Sequence, residues 1–446
     1  MKWLLSLIVQ IALISLILSS QIDTSVQHGL IILSIIANLW LAELLPLSVT
    51  ALLVPVLAVG FDVMNLKAAL LSFAHPIIFL FLGGFALAAA LHEHKLDQHF
   101  ADIIMRKAKN NGLLISLMLF ALTAFLSMWI SNTATTVMML PIALGLMSHL
   151  AYQQHKNLFA FLLLGIAYSA NIGGIATIVG SPPNAIAASA LSLSFFDWLI
   201  IALPISLLLL PIMWAILYAL LKPNLSLFNS TNALKDTSET TFKWNQANVL
   251  VMAIFITTAS LWIFGSLIQN IIGQITDFDS WVAIIAIITL HASKSLTWPA
   301  FEKNTQWGVL ILFGGGLALS AILSQTQANL FLAQQLASIS EGLGLFWLLL
   351  LIVLFIIFMT EISSNTALSA LMIPTFMGTA DVMGFDKTMM VSAIAIAASC
   401  AFMLPVATPP NAIVFSSGYV AQNIMMKVGV LLNILFGVFI TCYLFL

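Results

Sequence analysis

Charge is what this chain has least of. Asp, Glu, Lys and Arg make up 7% of its 446 residues, against 61% hydrophobic residues, where a soluble protein carries roughly a quarter charged residues. With a mean hydropathy of +1.11, the chain reads as an all-α polytopic membrane protein. Its net charge of -2 comes with no basic patch, which leaves nothing to bind nucleic acid. The two cysteines, Cys400 and Cys442, both lie in apolar stretches, so neither a disulfide nor a metal site is expected of them. No Ser/His or His/Glu cluster falls within one stretch, which removes the constellation an enzyme would need. No charged ring marks a channel. All fourteen Lys and Arg fall in loops or at helix ends, so no basic side chain is available at the bilayer midplane.

What is present is one polar motif, written twice. Met128–Pro141 reads MWISNTATTVMMLP and Glu361–Pro374 reads EISSNTALSALMIP. Aligning Ser131 with Ser364 superposes Asn132 on Asn365, Thr133 on Thr366 and Pro141 on Pro374, with a hydroxyl four residues upstream in Ser127 and Thr360. Three adjacent polar residues are costly in hydrocarbon unless they bind something or each other. The repetition goes further. Gly83-Gly84 precedes the first motif and Gly315-Gly316 the second; Gly180-Ser181-Pro182-Pro183-Asn184 follows the first and Ala407-Thr408-Pro409-Pro410-Asn411 the second. The chain is a duplicated half. The glycine runs read as close helix packing, because they lack the strand and the Lys of a phosphate loop.

Taken in order, spans are expected at about 3–20, 28–45, 48–61 and 74–92, with 3–20 an uncleaved first helix. A surface helix follows at His92–Asn111, with Lys95, Arg106, Lys107 and Lys109. Residues 113–149 are broken at Ser131–Thr133 and 158–190 at Gly173–Asn184, and a span covers 197–221. The hydrophilic segment Pro223–Trp244, with Lys235, Asp236, Glu239 and Lys243, divides the chain. The second half repeats the plan with spans at 246–268, 280–293 and 307–323, a surface segment at 324–342, broken stretches at 345–377 and 388–415, and a last helix at 427–446. Glu43 and Glu361 are the acids placed within spans, where hydrogen-bonding roles are favoured. Surface solvation is the expected role of His75, His92, His94 and His99.

Basic residues set the orientation. With the N-terminus in the cytoplasm and each SNT stretch a hairpin, twelve of the fourteen Lys and Arg face inside and only Lys67 and Lys387 face outside. The hairpins then enter from opposite faces. Such an inverted repeat brings its two tips together near the midplane. A broken membrane helix is tolerated where it lines a cavity or is buried in protein. Helix N-termini at the breaks favour anions, and the freed carbonyls with Ser, Thr and Asn oxygens suit a hard monovalent cation. An anion held without a basic side chain depends on co-bound cations.

Paired SNT motifs, each followed by a small-hydroxyl-Pro-Pro-Asn stretch, resemble the divalent-anion/sodium symporter family of the ion transporter superfamily, the dicarboxylate and citrate carriers. The resemblance covers nearly the whole chain. It implies an inverted repeat of about eleven transmembrane helices with two re-entrant hairpins, and a homodimer in the inner membrane working as an elevator. Residues 1–111 and 246–343 would be scaffold, 112–221 and 344–446 the transport part, and 222–245 a cytoplasmic linker. Carried over by motif, one Na+ site falls on Ser127, Ser131, Asn132 and the Gly180 carbonyl. The other falls on Thr360, Asn365 and the carbonyls of Ser363 and Ala407. Substrate would touch Asn132, Thr133, Asn365 and Thr366, with Ser181, Thr408 and Pro409 nearby. The implied activity is sodium-coupled symport of a C4 dicarboxylate such as succinate, malate or fumarate. Exchange without sodium, and citrate or sulfate as cargo, stay open.

Overall fold

The computed structural model describes residues 2–97, 99, 111–228, 244–340, 342–384 and 386–446. The expected surface helix around Arg106–Lys109 and the linker charges Lys235, Asp236, Glu239 and Lys243 lie outside the described residues. The first half contains α1 (Lys2–Ser19), α2 (Thr24–Leu41), α3 (Leu47–Gly60), α4 (Leu66–Leu71), α5 (Pro76–Glu93), α6 (Gly112–Ser127), α7 (Asn132–Leu146), α8 (Lys156–Ile175), α9 (Pro182–Leu191) and α10 (Phe195–Leu221). The second contains α11 (Gln246–Ile263), α12 (Gly265–Ile272), α13 (Phe278–Ala292), α14 (Trp298–Asn304), α15 (Trp307–Gln325), α16 (Ala328–Ile339), α17 (Leu345–Thr360), α18 (Asn365–Met383), α19 (Lys387–Ala398), α20 (Pro409–Ser416) and α21 (Gln422–Phe445). No strand occurs among the described residues.

Seven helical stretches of 18 residues or more are apolar enough to cross a membrane, counted among the described residues. They differ in what surrounds them. The apolar window of α8 is wholly buried, whereas that of α10 is 28% buried and so faces lipid over most of its surface. The core is therefore built around α8 and its repeat partner α19, the two helices that run into the breaks.

Local chemistry sets the breaks. Ser131 caps α7 by accepting the Ala134 N–H at 3.3 Å, and Ser364 caps α18 by accepting the Ala367 N–H at 3.4 Å, each satisfying a donor that the turn would orphan. Pro182-Pro183 and Pro409-Pro410 open α9 and α20, where a missing N–H costs nothing. Beyond its break each half crosses over. Helix α9 packs on α18 and α19, while α20 packs on α7 and α8.

The paired glycines are packing sites. A Cβ on Gly83 would stand 2.6 Å from Ala283 Cβ in α13, and one on Gly315 would stand 2.5 Å from Ala51 Cβ in α3. Helices α5 with α13, and α15 with α3, thus approach backbone to backbone.

Several expectations are corrected. Helix α2 ends at Leu41, so Glu43 is not in a span but in the following turn, at φ 49°. The 246–268 span breaks at Phe264 into α11 and α12. The apolar stretch expected at 74–92 begins earlier, at Leu66, where α4 precedes α5 in one stretch of 28 residues. His94 is not simply solvated: Nδ1 lies 3.0 Å from Asn248 Oδ1 and Nε2 lies 2.9 Å from the Ser295 carbonyl. His75 accepts the Ile77 N–H at 3.3 Å and so caps α5.

Candidate functional site

A cavity of about 800 Å³ lies between the two hairpin tips. Ser131, Asn132 and Thr133 line it from one tip, and Ser363, Asn365 and Thr366 from the other. Gly180 and Ser181 enter from the first break, and Ala407, Thr408 and Pro409 from the second. Ser127 and Thr360 are fully buried behind Asn132 and Asn365. All the residues singled out in the motifs are thus brought to one place. The rest of the wall comes from Glu43, Ser48 and Gln306 among others, which sequence spacing could not connect to the tips. None of the described Lys or Arg lines it.

Helices α7, α9, α18 and α20 all begin at this cavity. Four N-termini therefore present free N–H groups and positive dipole ends to one volume.

Behind the tips, oxygens crowd together. Ser127 Oγ lies 2.7 Å from Asn132 Oδ1 and 2.8 Å from the Ala170 carbonyl. The same Asn132 amide position is 3.2 Å from the Ala170 carbonyl and 3.3 Å from that of Gly180. Only the Ser127 hydroxyl has a proton to place among these oxygens. Either the amide turns over to offer its N–H groups, or a cation sits among the oxygens and holds Oδ1 toward itself. The second tip repeats the geometry: Thr360 Oγ1 lies 2.5 Å from Asn365 Oδ1 and 2.9 Å from the Ala398 carbonyl. The donor set is neutral oxygen throughout, which fits Na+ and not a transition metal. No group of three or more His, Cys, Asp or Glu able to hold a metal occurs among the described residues. Ser363 turns its hydroxyl to the Met359 carbonyl at 2.9 Å. Ser131 Oγ accepts the Ala134 N–H in the cap of α7, which leaves its proton and one lone pair uncommitted.

The Pro-Pro-Asn asparagines are staples. Asn184 Nδ2 is within hydrogen-bond distance of the carbonyls of Gly174 (2.8 Å), Ile175 (3.0 Å) and Thr177 (2.7 Å). Asn411 Nδ2 reaches those of Ala401 (3.0 Å) and Leu404 (3.1 Å). Each amide stands in for helix N–H groups that the break removed. Glu361 does the complementary task in the second half. Its carboxylate accepts the N–H groups of Phe402, Met403 and Leu404 at 2.7, 2.9 and 2.9 Å, and Asn433 Nδ2 at 2.7 Å. The favoured hydrogen-bonding role for Glu361 matches this geometry.

The unwound segments also bond across the halves. Tyr168 donates to the Phe402 carbonyl at 2.6 Å, Asn171 Nδ2 donates to Thr408 Oγ1 at 3.1 Å, and Ser181 Oγ lies 3.4 Å from Ser399 Oγ. Motif reading missed Asn171, which lines the cavity, and Tyr168, Ser399 and the Ala170 and Ala398 carbonyls, which bond to the segments around it. Only the matching of α8 to α19 could have found them.

Comparison with known proteins gives the chain a family. A family model described as citrate transporter matches residues 31–397. A protein of Haemophilus influenzae named an uncharacterized transporter is 48% identical over 419 residues, covering 92% of this chain and 90% of that one. The sodium-dependent dicarboxylate transporter SdcS of Staphylococcus saprophyticus is 32% identical, covering 93% of this chain and 85% of its own. Among solved structures, the YdaH transporter of Alcanivorax borkumensis is similar with a TM-score of 0.59 at 14% identity, covering 85% of this chain and 86% of that one. That likeness concerns the fold alone.

Proposed function

We propose, from the premise that this chain belongs to the citrate transporter family, that it carries C4 dicarboxylates such as succinate, malate and fumarate by symport with sodium. The chain is a multi-pass membrane transporter and not an enzyme. The observation that carries the finer reading is the cavity between two uncharged tips, backed by a matching hydroxyl, amide and carbonyl oxygen cluster at each tip. The printed name of SdcS, a sodium-dependent dicarboxylate transporter, supports it.

A dicarboxylate brings two negative charges, and Glu43 adds a carboxylate to the cavity wall. Desolvating even one such charge uncompensated costs several kcal/mol. Four helix N-termini help, at roughly half a positive charge each, but they are dipoles and bring no net charge. With no Lys or Arg at hand, bound sodium supplies it. Linkage then makes sodium tighten anion binding and the anion tighten sodium binding by the same factor.

In this reading α6–α10 and α17–α21 form the moving part, set against α1–α5 and α11–α16 as scaffold, in an inner-membrane homodimer with a cytoplasmic N-terminus. Glu43 lies in the turn after α2, at the end of that helix expected on the cytoplasmic side, and Gln306 caps α15 three residues after the basic Lys303. The cavity wall that includes them would then face the cytoplasm, an inward-facing arrangement. A volume of about 800 Å³ also has room for citrate, which makes a tricarboxylate the second reading.

Titrating succinate into purified protein by calorimetry, in sodium and again in choline, tests the coupling. Binding at least tenfold tighter in sodium is expected; equal affinities would make the protein a sodium-independent exchanger. Competition uptake with malate, fumarate, citrate and sulfate orders the cargo.

A further inference from the structure

We propose that Asn171 is a positioning residue for the anion, acting through the hydroxyl of Thr408 across the boundary between the two halves. The inference rests on the reading of the cavity as a carboxylate site.

It begins with the lone pairs of one oxygen. A hydroxyl can accept two hydrogen bonds and donate one. Thr408 Oγ1 receives Asn171 Nδ2 at 3.1 Å and the backbone N–H of Asn411 at 3.3 Å. Both of its acceptor positions are filled, one by the opposite half and one by the helix it caps. Among the described residues, no protein group takes its proton. Thr408 is 3% exposed and Asn171 1%, yet both line the cavity. The one direction left for the O–H is the cavity, where it is a ready donor to a carboxylate oxygen.

The mirror position is built differently. Ser181 makes no side-chain cap to α9, and its Oγ lies 3.4 Å from Ser399 Oγ, which in turn lies 3.4 Å from the Ala395 carbonyl. Nothing there fills both acceptor positions, so the Ser181 proton is free to turn. The two ends of the cavity therefore differ: one hydroxyl is preset as a donor and the other adjusts. A preset donor costs no reorganisation when the anion arrives. Asn171 is what makes the difference, since the N-cap bond alone would leave one acceptor position and the rotor free.

The test measures succinate affinity in sodium for wild type, Asn171→Ala, Asn171→Ser, Thr408→Val and the double variant Asn171→Ala/Thr408→Val. Asn171→Ala is expected to weaken succinate binding roughly five- to tenfold, while sodium affinity measured without anion stays within about twofold. Asn171→Ser, which copies the residue of the other half, should recover part of the loss. In the Thr408→Val background, adding Asn171→Ala should change succinate affinity no further, because the hydroxyl it acts on is gone. A merely structural role would carry over undiminished into that background. An undiminished second loss, or unchanged affinity in Asn171→Ala beside a wild type that binds succinate, would overturn the assignment. A wild type that binds no succinate would overturn the carboxylate reading beneath it.

Discussion

The carboxylate of Glu361 accepts the backbone N–H of Phe402 at 2.7 Å, joining the tip of the second hairpin to a segment where the helix has come undone. Glu361 directly follows Thr360 in the chain. Whatever holds its carboxylate therefore also holds the Thr360 hydroxyl against Asn365.

Replacing Glu361 by Gln keeps the shape and turns one acceptor into a donor that faces donors. At least one buried N–H of Phe402, Met403 or Leu404 is then unsatisfied, at roughly 1–3 kcal/mol. The expected outcome is a lower unfolding temperature in detergent together with weaker sodium binding. An unchanged unfolding curve would show that these bonds do not stabilise the break.

The asparagine amides are the next target. Asn132→Ala and Asn365→Ala should each lower sodium-dependent uptake roughly 10- to 100-fold, with normal insertion and yield. Each removes the amide oxygen from a cluster that contains no carboxylate to replace it. Uptake at the wild-type level in either variant would take that tip out of the mechanism.

Gly174 gives a steric route to the same point. A Cβ there would collide with the Asn132 amide. Gly174→Ala is expected to displace Asn132 and weaken sodium binding by about tenfold or more, leaving the second tip intact. Calorimetry with sodium alone checks it, and full sodium affinity would mean that the first oxygen cluster does not hold the ion.

Topology can be read by thiol labelling in a background without Cys400 and Cys442. A cysteine at Gln153, beside Lys156, should react with an impermeant reagent only from the cytoplasm, and one at Val382 only from outside. The motive is the twelve-to-two distribution of basic residues between the faces. Labelling of both from one side would make the repeat parallel.

The breaks and the tips were legible because each violates a local rule: polar triplets in hydrocarbon, and prolines within an apolar run. Repetition turned two such violations into one design. What stayed illegible was anything carried by the backbone or by a single residue on a buried helix. Ala170 and Ala398 contribute carbonyls, which every residue has, so no residue type announces them. Asn171 looks like one polar residue in α8 until α20 is folded against it. Apolar residues continue past Leu41 and carry the sequence pattern through Glu43, and only the left-handed turn at Glu43 shows where the helix stops.

The crossed packing of α9 on the second half and α20 on the first has a consequence for how the molecule is made. Asn171 and Thr408 are 237 residues apart. At roughly 5–20 residues per second of synthesis, the ribosome needs about 10 to 50 s to deliver the second after the first. For that interval the first hairpin stands in the bilayer without its closing helix, its freed carbonyls facing whatever the insertion machinery and lipid offer. Neither half can mature before the other arrives. A chain truncated in the middle should be a substrate for membrane proteases, not a smaller transporter.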